Sequence, residues 1–421
     1  MGRIGIDAIE PGMVLAEDLR HSNGRFLLGK GVVLGMTHLR VLKIWGIHSV
    51  EVEGSFGDLE PSPPKEIDPA VLQAAEKLVA KRFSHGNLDH PFFKELFHIC
   101  TQRKAKELAR QGIPERDRVS SPPKPAPSSE LRFTPPSSHR KIDPQSLVDR
   151  DMSLASLPNI FMEISSAVSD PRSSAIRVAD VISKDASLSA KLLKIVNSAF
   201  YSFPSKIDTI TRAVTIMGTR QLSTLALGAS VTSVFQDIPA ELVDMESFWK
   251  HSIACAIGAR MIASHKNISN TESLFVGGLL HDIGRIILYK SLPSLEREIL
   301  ISARRTHSLL RNMEVEALGF DHAQIGGMLL MKWQLPPVLE QGVTFHHTPL
   351  KSQHRLEASI VCLSDILANA LEMGSSGECL VPPLMPEVWD EVGLGKEVFT
   401  KIIQTIDRQV AEVLNYFFDE R

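Results

Sequence analysis

The sequence predicts a mainly α protein: an all-helical domain over residues 146–421, preceded by a small α/β module and a flexible linker. From residue 146 onward, apolar residues recur every three or four positions, for example over 175–196, 247–264 and 355–372, as they do along one face of a helix. No run there alternates with the period of two that is typical of a half-buried strand. Residues 114–145 are rich in Pro and Ser and poor in apolar residues, which predicts the flexible linker.

The predicted α/β module occupies residues 1–55. Met13–Leu19, Arg25–Leu28 and His48–Val52 are short runs rich in apolar residues, and we expect them to be strands. Thr37 is a favoured helix-capping residue, and the apolar pattern after it predicts a short helix.

Residues 56–113 are predicted as a helical connector between the module and the linker. Val71, Leu72, Ala75, Leu78 and Val79 stand at helical spacing.

Composition excludes some functions. The 421 residues carry a formal net charge of -3, which gives no general attraction to nucleic acid or to anionic membranes. No apolar run approaches the ~20 residues that a membrane span needs, and the first residues lack the apolar core of a signal peptide. The four cysteines are scattered without CxxC spacing, so we expect reduced thiols in a cytoplasmic protein.

The most informative motif is a histidine followed by an aspartate, His281-Asp282, inside the apolar run Leu279–Arg285. A buried imidazole and a buried carboxylate cost free energy unless a partner satisfies them. A divalent metal ion would do so.

Other apolar helical segments are also interrupted by residues that can bind metals. These residues are His251, His322, His346, His347 and Asp365. Each has an ordinary explanation when it is taken alone. A lone buried histidine is usually a hydrogen-bonded core residue, Asp365 could cap a helix or pair with Arg355, and His322 could belong to a helix N-terminal turn. The pair His346-His347 could face solvent at a helix end.

Taken together, these residues and His281-Asp282 predict a metal site. Imidazole nitrogens and carboxylate oxygens suit Fe, Mn, Ni or Zn. Seven ligands exceed what one ion needs, so we expect two ions, with Asp282 as the residue that bridges them.

The order H…HD…H…HH…D resembles the HD superfamily of metal-dependent phosphohydrolases. Within it, Leu157-Pro158, Val178–Leu188, Lys191–Tyr201 and Ile207–Gly218 resemble the opening of an HDOD domain, the HD-related output domain of bacterial signalling proteins. The resemblance covers roughly 150–420 and implies an all-helical HD-like fold.

The N-terminal module also resembles a known domain. Its Gly12–Leu15 and Trp45–Ile47 are similar to the domain that precedes some HD-GYP cyclic-di-GMP phosphodiesterases.

The sequence departs from active HD enzymes at three places. The lysine that contacts substrate phosphate in the family is Arg285 here, which the resemblance makes a catalytic candidate together with Asp282. His346-His347 is followed by Thr348 and Pro349 instead of a Gly-Tyr-Pro segment. The family's extra glutamate ligand has no match in register, because Ser247 stands four residues before His251.

Two functions fit these patterns. The first is a signalling output or scaffold protein that binds a protein partner or a small nucleotide ligand and has an HD-type metal site. The second is a metal-dependent phosphohydrolase or phosphodiesterase acting on a nucleotide or cyclic dinucleotide. The sequence predicts no membrane association, carries no strong nucleic-acid signal and gives no oligomeric state.

Overall fold

The computed structural model describes parts of residues 2–53, then 67–112, 142–152 and 159–418, with short gaps at 171, 199–200, 202, 204 and 232–237. Most of the linker predicted over 114–145 lies outside the described residues. The chain divides into two compact units, Met1–Val71 and Leu72–Arg421.

The N-terminal unit contains short antiparallel strand pairs. Strand β1 (Gly2–Gly5) pairs with β4 (Ser49–Val52), and β2 (Leu19–Arg20) pairs with β3 (Phe26–Leu28). Single bridges join Val14 to Val33 and Leu15 to Val52, so only part of the strand predicted over Met13–Leu19 is regular. A small apolar cluster that includes Leu15, Leu34 and Val52 holds these pieces together. The helix predicted after Thr37 lies largely outside the described residues.

Residues 69–111, within the predicted connector, form two helices, α1 (Pro69–Arg82) and α2 (Pro91–Gln111). Helix α2 begins with Pro91 after His90, whose imidazole accepts the backbone N–H of Phe92. The ring of Phe92 lies 4.8 Å from that of Phe399, centroid to centroid. Helix α2 therefore shares the apolar core of the helical unit.

The rest of the described chain is almost entirely helical, which confirms the predicted fold class. The helices are α3 (Pro144–Met152), α4 (Asn159–Ser169), α5 (Ala175–Ser183), α6 (Ala186–Val196), α7 (Ile210–Met217), α8 (Thr219–Val231), α9 (Met245–His265), α10 (Thr271–Leu280), α11 (Ile283–Ser291), α12 (Pro293–Thr306), α13 (Leu310–Leu318), α14 (His322–Lys332), α15 (Pro337–Thr344), a 3-10 turn (Pro349–Lys351), α16 (Arg355–Ala370), α17 (Pro386–Val392) and α18 (Lys396–Phe418).

Polar side chains fix where several of these helices begin. Asp244 caps α9 by accepting the backbone N–H of Ser247, and Asp321 caps α14 by accepting that of Gln324. Such caps satisfy N–H groups that have no partner inside the helix. Both capped helices carry predicted metal ligands, so the caps help to set where those ligands lie.

Two glycines allow the central helices to approach closely. A Cβ atom added at Gly278 would lie 2.7 Å from the Cα atom of Ala256, and one added at Gly284 would overlap the carbonyl oxygen of His322. Helices α10 and α9, and likewise α11 and α14, therefore meet backbone to backbone. This close contact brings His281-Asp282 next to His251 and His322.

Among the described residues, no helix has both the length and the apolar character needed to cross a membrane.

Candidate metal centre

Four predicted ligands meet where α9, α10 and α16 come together. His251 lies on α9, His281 and Asp282 join α10 to α11, and Asp365 lies on α16. The Nε2 atom of His251 is 3.3 Å from Nε2 of His281 and 3.2 Å from Oδ1 of Asp365. The Nε2 atom of His281 is 3.2 Å from Oδ2 of Asp282. We call His251, His281 and Asp365 the first ligand group.

The other three predicted ligands lie together beside Asp282, and one of them, His346, is also close to His281 and Asp365. His322 opens α14, and His346 and His347 follow α15. The Nε2 atoms of His322 and His347 are 3.0 Å apart. One nitrogen from each histidine of this trio lies within 4.8 Å of the others. We call these three residues the second ligand group.

Asp282 stands between the two groups with one carboxylate oxygen directed to each. Its Oδ2 atom lies 3.2 Å from His281 Nε2 and 3.6 Å from His251 Nε2. Its Oδ1 atom lies 2.9 Å from His322 Nε2 and 3.9 Å from His346 Nε2. The carboxylate can therefore contribute one oxygen to each group.

Hydrogen bonds orient the histidine rings. The Nδ1 atom of His281 lies 2.8 Å from the carbonyl oxygen of Gly278, and Nδ1 of His346 lies 2.7 Å from that of Val343. Each Nδ1 donates to its carbonyl, so the neutral form of either ring carries its lone pair on Nε2. This arrangement is typical of metal-binding histidines, whose second nitrogen is held by another acceptor.

The donor set fits a metal centre. All seven side chains are buried or half-buried, and His346 Nε2 has no hydrogen-bond partner among the described residues. A buried nitrogen lone pair without a donor is unfavourable, and a metal ion would satisfy it. Nitrogen and oxygen donors in this proportion suit divalent Fe, Mn, Ni or Zn.

The ionisation of the site matches this chemistry in part. Burial disfavours the charged form of Asp282, but the charges of His281 and Arg285 hold its pKa well below the usual range. Burial, together with the charges of His281 and His322, lowers the pKa of His346 to about 3. Burial also opposes a charge on His281, yet the carboxylate of Asp282 raises its pKa. A divalent ion would replace such a shared proton, because ligating imidazoles are neutral.

Arg285 lies behind the ligands instead of facing solvent. Its side chain is 3% exposed, and its Nε donates to Oδ1 of Asp282 at 3.2 Å. Its Nη1 is 3.6 Å from Oε1 of Glu314. In this position the guanidinium holds the Asp282 carboxylate, which differs from the substrate-phosphate contact that the family resemblance implies.

Sequence reasoning missed two residues that support the ligands. Glu314 on α13 is buried and lies 2.5 Å from Nδ1 of His322, and it also accepts the backbone N–H of His322 at 3.0 Å. Asn369 on α16 donates to Oδ1 of Asp365 at 2.7 Å. A glutamate in the polar first half of α13 gives no sequence signal of burial. Asn369, one helical turn after Asp365, could have been found from its apolar neighbours.

A cavity of about 160 Å³ opens against the centre. His347 and Asp365, one from each ligand group, form part of its wall. A small ligand in this cavity would therefore touch both ligand groups.

Comparison with known proteins agrees with this fold. Residues 154–349 match the family model described as the HDOD domain. The chain carries an HDOD domain. The match confirms the predicted resemblance and contains every proposed ligand except Asp365, which lies beyond its end.

The HDOD domain also has relatives of known sequence and structure. An uncharacterized protein of Treponema pallidum is 28% identical over 211 residues, which are 48% of this chain and 39% of that protein. This chain thus spans well under half of that relative. A "Putative phosphohydrolase" from Shewanella amazonensis is 23% identical with a TM-score of 0.52, covering 65% of this chain and 98% of that one. A "Putative signal transduction protein" from Marinobacter aquaeolei has 19% identity and a TM-score of 0.50, covering 66% and 67%. At these identities the structures show a shared fold.

Proposed function

We propose that this HDOD protein is a bacterial signalling output protein whose helical domain holds two divalent transition-metal ions bridged by Asp282. The observation that carries the proposal is the position of the Asp282 carboxylate, with Oδ2 beside His251 and His281 and Oδ1 beside His322. The first ligand group would hold one ion and the second group the other. The HDOD match and the likeness to the "Putative signal transduction protein" of Marinobacter aquaeolei support the signalling role.

Metal analysis of the purified full-length chain tests this proposal. We expect two equivalents of Fe, Mn, Ni or Zn, and about one equivalent in His322→Ala, because that substitution removes only a member of the second group. His265→Ala is the matched control, since His265 is exposed at the end of α9 and belongs to neither group. A wild-type chain that binds no metal would refute the proposal.

A second candidate function is phosphate-ester hydrolysis, as in the predicted alternative of a nucleotide or cyclic-dinucleotide hydrolase. The cavity that reaches His347 and Asp365 favours it, because a substrate there would touch both ligand groups. Two divalent ions would polarise a phosphoryl oxygen and lower the pKa of a water molecule. Asp282 and Asp365 would hold and orient that centre, and Arg285 would fix Asp282 without touching the substrate.

Turnover assays separate the two candidates. Hydrolysis by the metal-loaded chain, lost in Asp282→Asn at unchanged fold, would establish the enzyme. If the fully metal-loaded chain hydrolysed neither phosphate monoesters nor diesters, the hydrolase function would be excluded and the signalling role would remain.

A further inference from the structure

The cavity beside the metal centre has one cationic side chain in its wall. Arg311 lines it together with Asn312, and both belong to the first turn of α13. The apolar part of the wall includes Leu309, Ile366 and Pro382. Arg311 is partly exposed, with 32% of its side chain accessible, whereas Arg285 is enclosed. Arg311 is therefore the arginine that a ligand entering the cavity can reach.

The position of Arg311 is fixed relative to the second ligand group. Its Nε donates to Oδ2 of Asp321 at 2.7 Å, and Asp321 caps the helix that His322 opens. The guanidinium is planar and forked, so a bond through Nε leaves its other nitrogens in a defined plane. The ion pair thus holds the guanidinium of Arg311 at a set place next to the second ligand group.

Besides Asp365, a second carboxylate lines the cavity, and its charge is compensated. The side chain of Glu378 accepts backbone N–H groups from Leu310, Cys379 and Leu380 at 2.8 to 2.9 Å. Three donors on one buried carboxylate spread its negative charge into the backbone. Glu378 therefore does not cancel the attraction of Arg311 for an anion.

The net charge of the centre with two metal ions bound would favour phosphate monoesters over diesters. Ligating imidazoles are neutral and ligating carboxylates are ionised. Two divalent ions held by five histidines and by Asp282 and Asp365 would keep a net charge of about +2. A phosphate monoester carries about -1.5 to -2 at neutral pH, whereas a diester carries about -1 per phosphate. The monoester matches the centre better.

The size of the cavity points the same way. Sites that enclose a drug-sized ligand measure about 300 to 1,000 Å³. At about 160 Å³, this cavity can enclose a phosphoryl group and a small part of what is attached to it. A complete cyclic dinucleotide would not fit inside.

We propose that the cavity is a subsite for the dianionic phosphate of a monoester, which Arg311 binds from one side and the metal centre from the other. This inference rests on the proposed two-metal centre and adds the ligand class and the residue that recognises it. It holds whether the bound monoester is a signal or a substrate.

Calorimetric titration of inorganic phosphate into the full-length, Mn-loaded chain tests the proposal. We expect Arg311→Gln to weaken binding at least about tenfold, since a charge-assisted hydrogen bond is lost, and Arg311→Lys to restore part of it. Arg297→Gln is the matched control, because Arg297 forms an exposed ion pair with Glu241 outside the cavity. Metal content is measured for every variant.

Competition with small esters gives a second measurement that needs no variant. Methyl phosphate should displace inorganic phosphate, and dimethyl phosphate should do so at least about tenfold less well, because it carries one charge. Equal binding of the two esters, or normal phosphate binding by metal-loaded Arg311→Gln, would overturn the subsite while leaving the metal centre intact. A chain that takes up no metal would overturn both proposals.

Discussion

The side-chain amide of Asn369 donates a 2.7 Å hydrogen bond to Oδ1 of Asp365, the oxygen that lies 3.2 Å from His251. Both residues lie on α16, one turn apart, and both are buried. Asn369 thus holds a predicted metal ligand in place.

The first prediction concerns this bond. Asn369→Leu removes the donor and keeps the branched shape of the side chain, so the metal affinity of the first ligand group should fall about 10- to 100-fold, as is typical of residues that hold metal ligands. Competition with a chelator measures the affinity. Ser364→Ala is the control, because Ser364 is buried on the same helix and its hydroxyl donates to the carbonyl of Ile360. Equal affinities in the two variants would contradict the role of Asn369.

The second prediction concerns Glu314. Replacement by Gln removes the negative charge that faces Nδ1 of His322. It should therefore weaken binding of the ion at the second ligand group more than binding at the first. After metal titration, elemental analysis of Glu314→Gln should find one bound ion per chain when the concentration of free metal is low. Glu316→Gln, an exposed position on the same helix, should keep two. If Glu314→Gln lost both ions together, the two ligand groups would not bind their ions independently.

The third prediction concerns Arg82 at the end of α1. Its Nη2 donates to the carbonyl oxygen of Asn369 at 2.5 Å and its Nη1 to that of Ala370 at 3.2 Å. These carbonyls lie in the last turn of α16, where few helical N–H donors remain, so Arg82→Gln should lower the free energy of unfolding by about 1 to 3 kcal/mol. Arg103→Gln breaks only a partly exposed ion pair with Asp407 and should cost under about 1 kcal/mol. Chemical denaturation of both variants measures the difference, and equal losses would contradict it.

The fourth prediction concerns the contact of α11 with α14. Gly284→Ala would place a Cβ atom against the backbone of His322 and 2.7 Å from the backbone nitrogen of Gly326, so these helices must separate. We expect a loss of about 1 to 3 kcal/mol in stability together with weaker binding of the second ion. Gly395→Ala, where an added Cβ meets nothing within 4 Å, should leave both unchanged. Normal metal binding by a stable Gly284→Ala chain would contradict the argument.

The sequence predicted the helical fold and pointed to the candidate ligands for the same physical reason. Apolar spacing reveals helices, and a histidine or aspartate that interrupts a buried face, such as His281 or Asp365, needs a partner. The division of the ligands between two groups depends on how the helices cross. The spacing of residues along one helix gives no information about that crossing. The burial of Arg285 depends on α13 and Glu314, which are close in space and distant in sequence.

The metal ligands come from segments far apart in the chain, from His251 on α9 to Asp365 on α16. Two ions at these positions would act as cross-links that tie α9, α14, α15 and α16 together, in a chain whose four cysteines are all free thiols. Closing long loops lowers the entropy of the unfolded chain, as a disulfide does. Supply of transition metal would then set how long the helical unit survives in a cell, besides any role at the centre itself.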